Sequence, residues 1–518
     1  MQSSLDDFGF QPGIDSRTET DKKREYKSFM HPTALAVERY HQLLRESDAP
    51  GLWARFQEQM RENLLYFGDR AICNVLRPQF LHPRDYEYIA EATLNVTGAL
   101  HKIYAALRTG ELDSQRLLHL SPAEAALVAL PDVHGPPDVS ARMDAFWLPG
   151  PALDQGDLHF LEYNADSPGG LGYGDVLGDL FADFEPMRRF AEEYQLTRPP
   201  VRSRVYRTLI ETYRDWCGAT GHTPVEQPNI AIVDWHSVRT RNEFLLSQQV
   251  FEAAGSRVVI CAPDELVLRD GQLWAGDDFP VDIVYKRVVV NELIKRYPNP
   301  AELMAQPLVQ AVAQNAVCIA NHFNCQLLYN KALFALISDE ENQHRFTAAE
   351  QMAVQKHVPW SRLVAEGTTR YNGTEGNGAK DDGAKDNGAE DDGVEVELVE
   401  LIRTRKDELV LKPVREYGGT GVVLGWETDA DDWEAALQRA LAEPHVVQRR
   451  VPTPQEIFPV WQEGELRFLP RMVDVDPYVW RGSAVEHAGV RLGTSALLNV
   501  SAGGGSAAPL FLAERKGM

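Results

Sequence analysis

An alternation of apolar strands with an amphipathic helix constrains the fold more than any other feature of the chain. NIAIVDW, which begins at Asn229, predicts a strand, and the helical pattern RNEFLLSQQVFEAAG then ends at Gly255. RVVICAP and VDIVYKRVVV predict two further strands after it. Strand–helix–strand units of these lengths are typical of a parallel α/β layer.

The chain divides into four regions and one insertion. At about 100–200 residues per domain, 518 residues predict about three structural units. We expect a polar, disordered N-terminus at 1–30, a helical region at 31–140, an α/β domain at 141–325 and a final domain at 326–515. The stretch 371–393 repeats a Gly-Ala-(Lys/Glu)-Asp unit, so it cannot bury a core and is predicted to be a disordered surface insertion.

Composition excludes several classes of protein. A formal net charge of −24 repels phosphate backbones, so nucleic acid is not an expected partner. The five cysteines form no CxxC pair, which argues against a disulfide framework or a structural zinc site. No signal peptide and no membrane span is visible, so a cytoplasmic protein is expected, and nothing in the sequence indicates an oligomeric state.

A lysine precedes a glycine-rich turn in LVLKPVREYGGTGVVLGWE, residues 409–427. Lys412 ends an apolar run, and a buried ammonium group needs an anion or water. Glycines let backbone N–H groups approach phosphate oxygens, so the stretch could bind phosphate. The alternative is an ordinary hairpin with an exposed lysine.

Polar side chains on later strands suggest a base-binding segment and a Mg²⁺ site. In HVVQRRV, Gln448 and Arg449 alternate faces and could present polar groups to a flat base. Asp474 and Asp476 share one face of RMVDVDPYVW, and Asn499 precedes three glycines. Carboxylate and amide oxygens suit Mg²⁺. The alternative for HVVQRRV is an ordinary strand with one polar face. The alternatives for the two aspartates and for Asn499 are a solvated strand face and a long turn.

A polar stretch, LEYNADSPGGLGYGD, could bind an amine or an amino-acid-like group through its carboxylates. Two arginines elsewhere could grip a substrate carboxylate, because the guanidinium fork matches its geometry. The alternatives are a simple turn for the stretch and surface ion pairs for the arginines. The candidate substrate contacts are Glu162, Asn164, Asp166, Ser167, Arg287 and Arg415.

Taken in order, LVLKPVREYGG, VVQRRV and LLNVSAGGG resemble the ATP-grasp superfamily, and above all its circularly permuted, glutathionylspermidine-synthase-like members. KPVREYGG also resembles the glycine-rich loop of eukaryotic-type glutathione synthetases. LEYNADSPGGLGYGD is similar to an Asn-Ala-Asp/Glu-Ser/Thr-Pro stretch of these proteins. VDIVYKR and LLYNKALFALISDE look like the family's pre-grasp strand and second lysine segment. The resemblance covers about 140–515 and implies an ATP-grasp fold, α/β (α+β) in class, with a Rossmann-like pre-grasp domain and a helical N-terminal region.

The resemblance also implies roles for individual residues. The implied ATP contacts are two lysines at the phosphates, a glycine flap and a glutamine at the adenine hinge: Lys331, Lys412, Gly418, Gly419, Gly421 and Gln448. Asn499 and either Asp474 or Asp476 would bind Mg²⁺, and Arg491 would stabilise charge alongside Lys412. The family's metal-binding acid often stands in a Glu-x-Asn pair, but Leu497 occupies that position here.

These features predict an ATP- and Mg²⁺-dependent carboxylate–amine ligase that forms peptide-type bonds through an acyl phosphate. Its expected partners are a small-molecule or peptide-like carboxylate and an amine, which the sequence does not identify. The alternative is a nucleotide-binding protein without ligase activity that acts as a regulator or assembly partner.

Overall fold

The computed structural model describes residues 30–133, 135–371, 394–416, 418–495, 498 and 505–517. Asn499 and nearly all of the predicted N-terminal and acidic disordered segments lie outside the described residues, so those predictions stay predictions.

Helices dominate the first region. Its longest helix begins with Pro83 and ends before Gly110, whose φ of 77° is the left-handed conformation that glycine adopts without strain. The elements of this region are α1 (Pro32–Arg45), α2 (Ala49–Glu62), β1 (Tyr66–Phe67), β2 (Arg70–Ala71), β3 (Gln79–Leu81), α3 (Pro83–Thr109), α4 (Ser114–Leu118) and α5 (Pro122–Val128).

Two long strands and three helices follow. The strands pair antiparallel, with Arg142 opposite Asn164 and Asp144 opposite Glu162, so polar side chains from both strands stand together. The elements are β4 (Ser140–Leu148), β5 (Asp157–Asn164), α6 (Gly174–Ala182), α7 (Glu185–Glu193), β6 (Tyr194–Thr197) and α8 (Arg202–Thr220).

The predicted parallel layer is present as a four-stranded sheet in the order β13-β12-β7-β8. All four residues of β7 are buried, as expected for a parallel strand covered on both faces. The elements are β7 (Ile230–Val233), α9 (Arg241–Ala253), β8 (Val258–Cys261), β9 (Leu266–Arg269), β10 (Gln272–Ala275), β11 (Phe279–Pro280), β12 (Ile283–Lys286), α10 (Val290–Arg296), α11 (Pro300–Met304), α12 (Pro307–Ala313) and β13 (Cys318–Ala320).

A second four-stranded sheet, ordered β14-β19-β17-β18, is antiparallel and contains the strand with Lys412. The VEVELVELIRTR pattern predicts a single helix, but its first four residues form a strand because they pair with β15, Val394 opposite Tyr371. The elements are α13 (Gln326–Tyr329), α14 (Ala332–Ile337), α15 (Ala348–His357), β14 (Ser361–Leu363), β15 (Thr368–Tyr371), β16 (Val394–Glu397), α16 (Leu398–Thr404), β17 (Leu409–Pro413), β18 (Val423–Leu424), α17 (Ala430–Ala442) and β19 (His445–Arg449).

The last strands join distant parts of the chain. They are β20 (Gln455–Gln462), β21 (Glu465–Trp480), β22 (Ala484–Gly493), β23 (Ser506–Ala507) and β24 (Leu510–Arg515). The six-stranded sheet runs β23-β22-β21-β4-β5, with β20 also paired to β21, and β24 pairs with both β3 and β6. Segments from the start and the end of the chain therefore share one hydrophobic core.

Among the described residues, every helix is too short or too polar to cross a lipid bilayer.

Candidate functional site

A cleft of about 680 Å³ opens where the three main sheets approach one another. Its walls include Glu162 of β5, Lys412 of β17 and Asp474 of β21. Asp234 and Arg287, which directly follow the parallel strands β7 and β12, complete it. In open α/β sheets, ligands bind beyond the carboxyl ends of parallel strands, so this is the expected place for a site.

Two lysines from separate segments meet in this cleft. Lys331 directly precedes α14, and its Nζ lies 3.2 Å from Oε2 of Glu162 and 2.6 Å from the carbonyl oxygen of Glu416. Nζ of Lys412 donates to Oε1 of Gln448 at 2.7 Å. The structure thus brings together the two lysines that the sequence resemblance paired, with Glu162 between them.

Electrostatics show that positive charge is in excess here. The pKa of Lys412 is lowered to about 8, chiefly by burial and also by the nearby Lys331, while Glu162 and Asp144 oppose the shift. Burial alone would raise the pKa of Glu162, yet Lys331 and Lys412 bring it below its usual value. One carboxylate shared by two ammonium groups leaves the lysines able to accept further negative charge.

The glycine turn after β17 requires left-handed backbone. Gly418, Gly419 and Gly421 have φ values of 65°, 77° and 72°. Gly418 and Gly419 line the cleft, and a Cβ on Gly421 would stand 2.8 Å from Cγ of Pro413. Side chains are therefore excluded here by conformation and by space, which leaves backbone groups facing the cleft.

Gln448 is not free to contact a base through its side chain. Its Oε1 accepts from Lys412, and its Nε2 donates to Oγ of Ser361 at 3.0 Å. Its backbone lies in a ladder between β14 and β17. The Gln448 side chain therefore holds Lys412 in position, and its predicted place at the adenine hinge stays a prediction. Leu424 and Trp426 line the same cleft.

A second charged cluster lies on β4, β21 and β22. Arg491 bridges three carboxylates: its Nη2 is 2.7 Å from Asp144, and its Nε is 2.8 Å from Asp474 and 3.0 Å from Asp476. Arg142 donates to both carboxylate oxygens of Asp144, at 2.7 and 3.0 Å. This group of five residues is called the arginine cluster below.

The arginine cluster disfavours the predicted metal role of Asp474 and Asp476. They share one strand face, as predicted, but both are buried and engaged by Arg491. Burial raises the pKa of both carboxyls although Arg491 opposes the shift, whereas the two arginines outweigh burial and lower the pKa of Asp144. Arg491 likewise has its charge matched by protein carboxylates.

The predicted substrate contacts fall into different settings. Asp166 is buried, pairs with Lys286 and accepts from the backbone N–H of Val290 at 2.7 Å, so its carboxylate is already occupied. Ser167 Oγ donates to the carbonyl of Arg287 at 2.8 Å. The contacts of Asp166 and Ser167 therefore fix the loop after β5.

The two arginines that were predicted as substrate contacts, Arg287 and Arg415, lie in different surroundings. Arg287 lines the cleft but is buried, with its Nη2 3.6 Å from Oε1 of Glu243. Arg415 is not part of the cleft lining among the described residues, and its Nε lies 3.3 Å from Oε1 of the buried Glu124. The predicted substrate role is thus disfavoured for Arg415.

Glu162 and Asn164 on β5 also have Glu-x-Asn spacing. Both line the cleft from alternate positions of β5, and Nδ2 of Asn164 donates to Oε1 of Glu162 at 3.3 Å. The sequence predicts both residues as substrate contacts, and that role stays a prediction. Arg142 and Asp144, in contrast, were not predicted as site residues. Their alternation on β4 was the sequence pattern that could have identified them.

Within the described residues, no group of three or more histidine, cysteine, aspartate or glutamate side chains is arranged to hold a metal ion by itself. A metal here would need ligands from a bound phosphate as well.

No protein-family model and no curated protein matches the sequence. Among solved structures, the chain is similar to a glutathione synthetase-like effector from Globodera pallida in its apo form, with a TM-score of 0.52 and 10% identity. That match covers 94% of this chain and 99% of the effector. The chain has the ATP-grasp fold.

The predicted ATP-grasp resemblance is therefore confirmed for the fold. A second structure, D-alanyl-alanine synthetase A from Vibrio cholerae, is 9% identical over 49% of this chain and 68% of its own, with a TM-score of 0.23 that supports no argument. At 10% identity the match to the effector shows a shared fold, while activity must be argued from the site.

Proposed function

We propose that the protein is an ATP- and Mg²⁺-dependent carboxylate–amine ligase that acts through an acyl phosphate on a small-molecule or peptide-like substrate. The observation that carries this proposal is the meeting of Lys331 and Lys412 around the single carboxylate of Glu162, in a cleft of about 680 Å³.

We propose one orientation for the nucleotide in the cleft. Its phosphates would lie at the two lysines and under the backbone N–H groups of Gly418 and Gly419, where positive charge is in excess. Its base would lie against the apolar wall of Leu424 and Trp426, because flat aromatic groups stack on such surfaces.

The residues present fit Mg²⁺ bound together with phosphate. Glu162 and Asn164 offer oxygen ligands beside the lysines, and Mg²⁺ is commonly held by one or two carboxylates plus substrate phosphates. When bound, Mg²⁺ supplies charge neutralisation at the transferred phosphoryl group. Glu162 and Asn164, which the sequence predicts as substrate contacts, are therefore proposed as metal ligands.

The chemistry asks little covalent help from the protein. A carboxylate oxygen attacks the γ-phosphorus, the bond from that phosphorus to the bridging oxygen breaks, and ADP leaves. The amine nitrogen then attacks the acyl carbon, inorganic phosphate leaves, and the amine proton passes to it. Lys331 and Lys412 orient and stabilise the moving charge, and the glycine turn excludes water from the acyl phosphate.

Replacing Lys412 with alanine tests the proposal. We expect nucleotide affinity to fall about tenfold or more and ADP release to be lost, because a charge-assisted phosphate contact contributes about 1.5–3 kcal/mol. Calorimetry with a non-hydrolysable ATP analogue measures affinity, and ADP release is followed with a panel of acids and amines. Lys356→Ala, an exposed lysine outside the cleft, is the matched control.

The outcomes separate the two candidate functions. ADP release that depends on both an acid and an amine supports the ligase. Tight nucleotide binding with no turnover in any mixture supports a binding protein that acts as a regulator or assembly partner. Nucleotide binding unchanged by Lys412→Ala contradicts both.

A further inference from the structure

Val414, Arg415 and Glu416 lie between β17 and the glycine turn, and they are called the turn root below. Both end carbonyls of the turn root accept hydrogen bonds from one residue, Lys331. The carbonyl oxygen of Val414 accepts from the backbone N–H of Lys331 at 3.1 Å, and that of Glu416 accepts from Nζ of Lys331 at 2.6 Å. A displacement of the turn root would therefore move both the glycine turn and the ammonium group of Lys331.

The middle carbonyl of the turn root is bound twice. The carbonyl oxygen of Arg415 accepts from Nδ2 of Asn291 and from the hydroxyl of Tyr329, both at 2.7 Å. A carbonyl oxygen has two lone pairs, and here both are used. Asn291 lies on α10 and Tyr329 ends α13, so two separate helices hold this peptide group in place.

The side chain of Arg415 joins the turn root to the helical first region. Its Nε lies 3.3 Å from Oε1 of Glu124, which is 2% exposed. The same carboxylate accepts from the backbone N–H of Ser121 at 2.7 Å, in the capping box of α5, and from Nε2 of Gln326 at 3.0 Å. Glu124 is thus fixed on its own helix, and Arg415 brings the positive charge that a buried carboxylate needs.

These side chains do not line the cleft. Among the described residues, the cleft lining includes none of Glu124, Asn291 and Arg415. Their contacts meet at the turn root, and Gly418 and Gly419, which do line the cleft, follow the turn root within three positions of the chain. Any effect of these residues on a bound phosphate must therefore pass through the turn root.

We propose that Glu124, acting through Arg415, is a positioning residue that places the N–H groups of the glycine turn and the ammonium group of Lys331 around the nucleotide phosphates. The proposal rests on the proposed function, which puts the triphosphate in this cleft. Contacts to a reacting group lose much of their effect when they are misplaced by about 1 Å. The ion pair therefore contributes to nucleotide affinity although neither of its members touches the nucleotide.

Glu124→Gln tests the proposal. The amide retains the capping box, since glutamine also serves at its third position, but it removes the charge that orients Arg415. We expect the affinity for a non-hydrolysable ATP analogue, measured by calorimetry on the full chain, to fall roughly five- to tenfold. Arg415→Lys keeps the positive charge beside Glu124 and should retain more of the affinity than Arg415→Met.

Glu350→Gln is the matched control. Glu350 also stands third in a capping box, that of α15, and it also pairs with a cation, Lys102. It belongs neither to the cleft lining nor to the contacts of the turn root. The same chemical change at this position should leave the affinity for the ATP analogue unchanged.

A double variant separates positioning from stability. Arg415→Met alone leaves the buried carboxylate of Glu124 without a cation, so we expect it to lower both the free energy of unfolding in urea and the analogue affinity. Combining it with Glu124→Gln removes both charges, so the free energy of unfolding should largely recover while the affinity stays as low as in the single variants. A merely structural role predicts that the affinity recovers together with the stability.

Unchanged affinity in Glu124→Gln, an equal loss in Glu350→Gln, or recovered affinity in the double variant would overturn the proposal. Lys412→Ala separates it from the proposed function. If the proposed function fails, Lys412→Ala leaves nucleotide affinity unchanged. If only the positioning role fails, Lys412→Ala still weakens nucleotide binding while Glu124→Gln does not.

Discussion

Two charged clusters face the same cleft but differ in the balance of their charges. In the lysine cluster, Lys331 and Lys412 share the one carboxylate of Glu162. In the arginine cluster, two guanidinium groups meet three carboxylates, those of Asp144, Asp474 and Asp476. The first cluster has an excess of positive charge, whereas in the second the charge of the arginines is matched by carboxylates.

This difference assigns the clusters to different tasks. Lysines that lack enough counter-charge gain free energy when a phosphate arrives, whereas arginines with matched carboxylates gain much less. The arginine cluster instead ties β4, β21 and β22 together from residues 140 to 493. Residue type alone does not reveal which cation binds a ligand, because both clusters hold cations in the same cleft.

The largest effect is expected for Arg491→Met, which tests the structural task of the arginine cluster. Removing one partner leaves buried carboxylates without compensation, and such changes cost about 3–5 kcal/mol. Urea unfolding at pH 7 measures the free energy of unfolding. The control, Arg467→Met, removes an exposed arginine of β21 and should cost less than about 1 kcal/mol.

Protonation gives this prediction a second check. Asp474 and Asp476 already have raised pKa values because they are buried, and losing Arg491 raises them further. The stability deficit of the variant should therefore shrink as the pH falls. A variant as stable as the Arg467→Met control would show that Arg491 is available for a ligand instead.

The next effect distinguishes the two clusters as metal sites. We expect Glu162→Gln to raise the Mg²⁺ concentration needed for tight binding of an ATP analogue by roughly tenfold or more, because a carboxylate ligand is lost. Asp474→Asn should leave that requirement unchanged, since this carboxylate is bound by Arg491. Mg²⁺ titrations at fixed analogue concentration measure both, and the reverse result would restore the original metal assignment.

Short sequence patterns predicted the features that depend only on residues near one another in the chain. The parallel layer followed from continuous apolar runs such as that of β7, and the position of Lys412 ahead of a turn of positive-φ glycines followed from the sequence, while its phosphate role stays a prediction. Glu162 and Asn164 were visible as Glu-x-Asn, but the pair was sought beside Asn499, where the resemblance suggested it. Both residues line the cleft, and their metal role is a proposal.

The sequence could not predict which side chains from distant parts of the chain form ion pairs. Asp474 and Asp476 share a strand face as predicted, yet Arg142, which pairs with Asp476, lies more than three hundred positions earlier, on a strand that joins β21 only in the folded sheet. Asp166 similarly meets Lys286 across the fold. In the sequence, two carboxylates on one strand face therefore suggest a metal site, because the arginines that pair with them are identified only in the folded structure.

The smallest effect concerns the pH dependence of the lysine cluster. The pKa of Lys412 is lowered to about 8, so below pH 8 the ammonium form is present, and above it the charge that attracts phosphate is lost. An exposed lysine would keep its charge to about pH 10. Affinity for an ATP analogue should thus fall about tenfold between pH 7 and pH 9. Lys412→Arg, which stays charged throughout, should flatten the profile. If the wild-type affinity is constant to pH 9, Lys412 is not the buried partner of Lys331 and the contrast between the clusters loses its electrostatic basis.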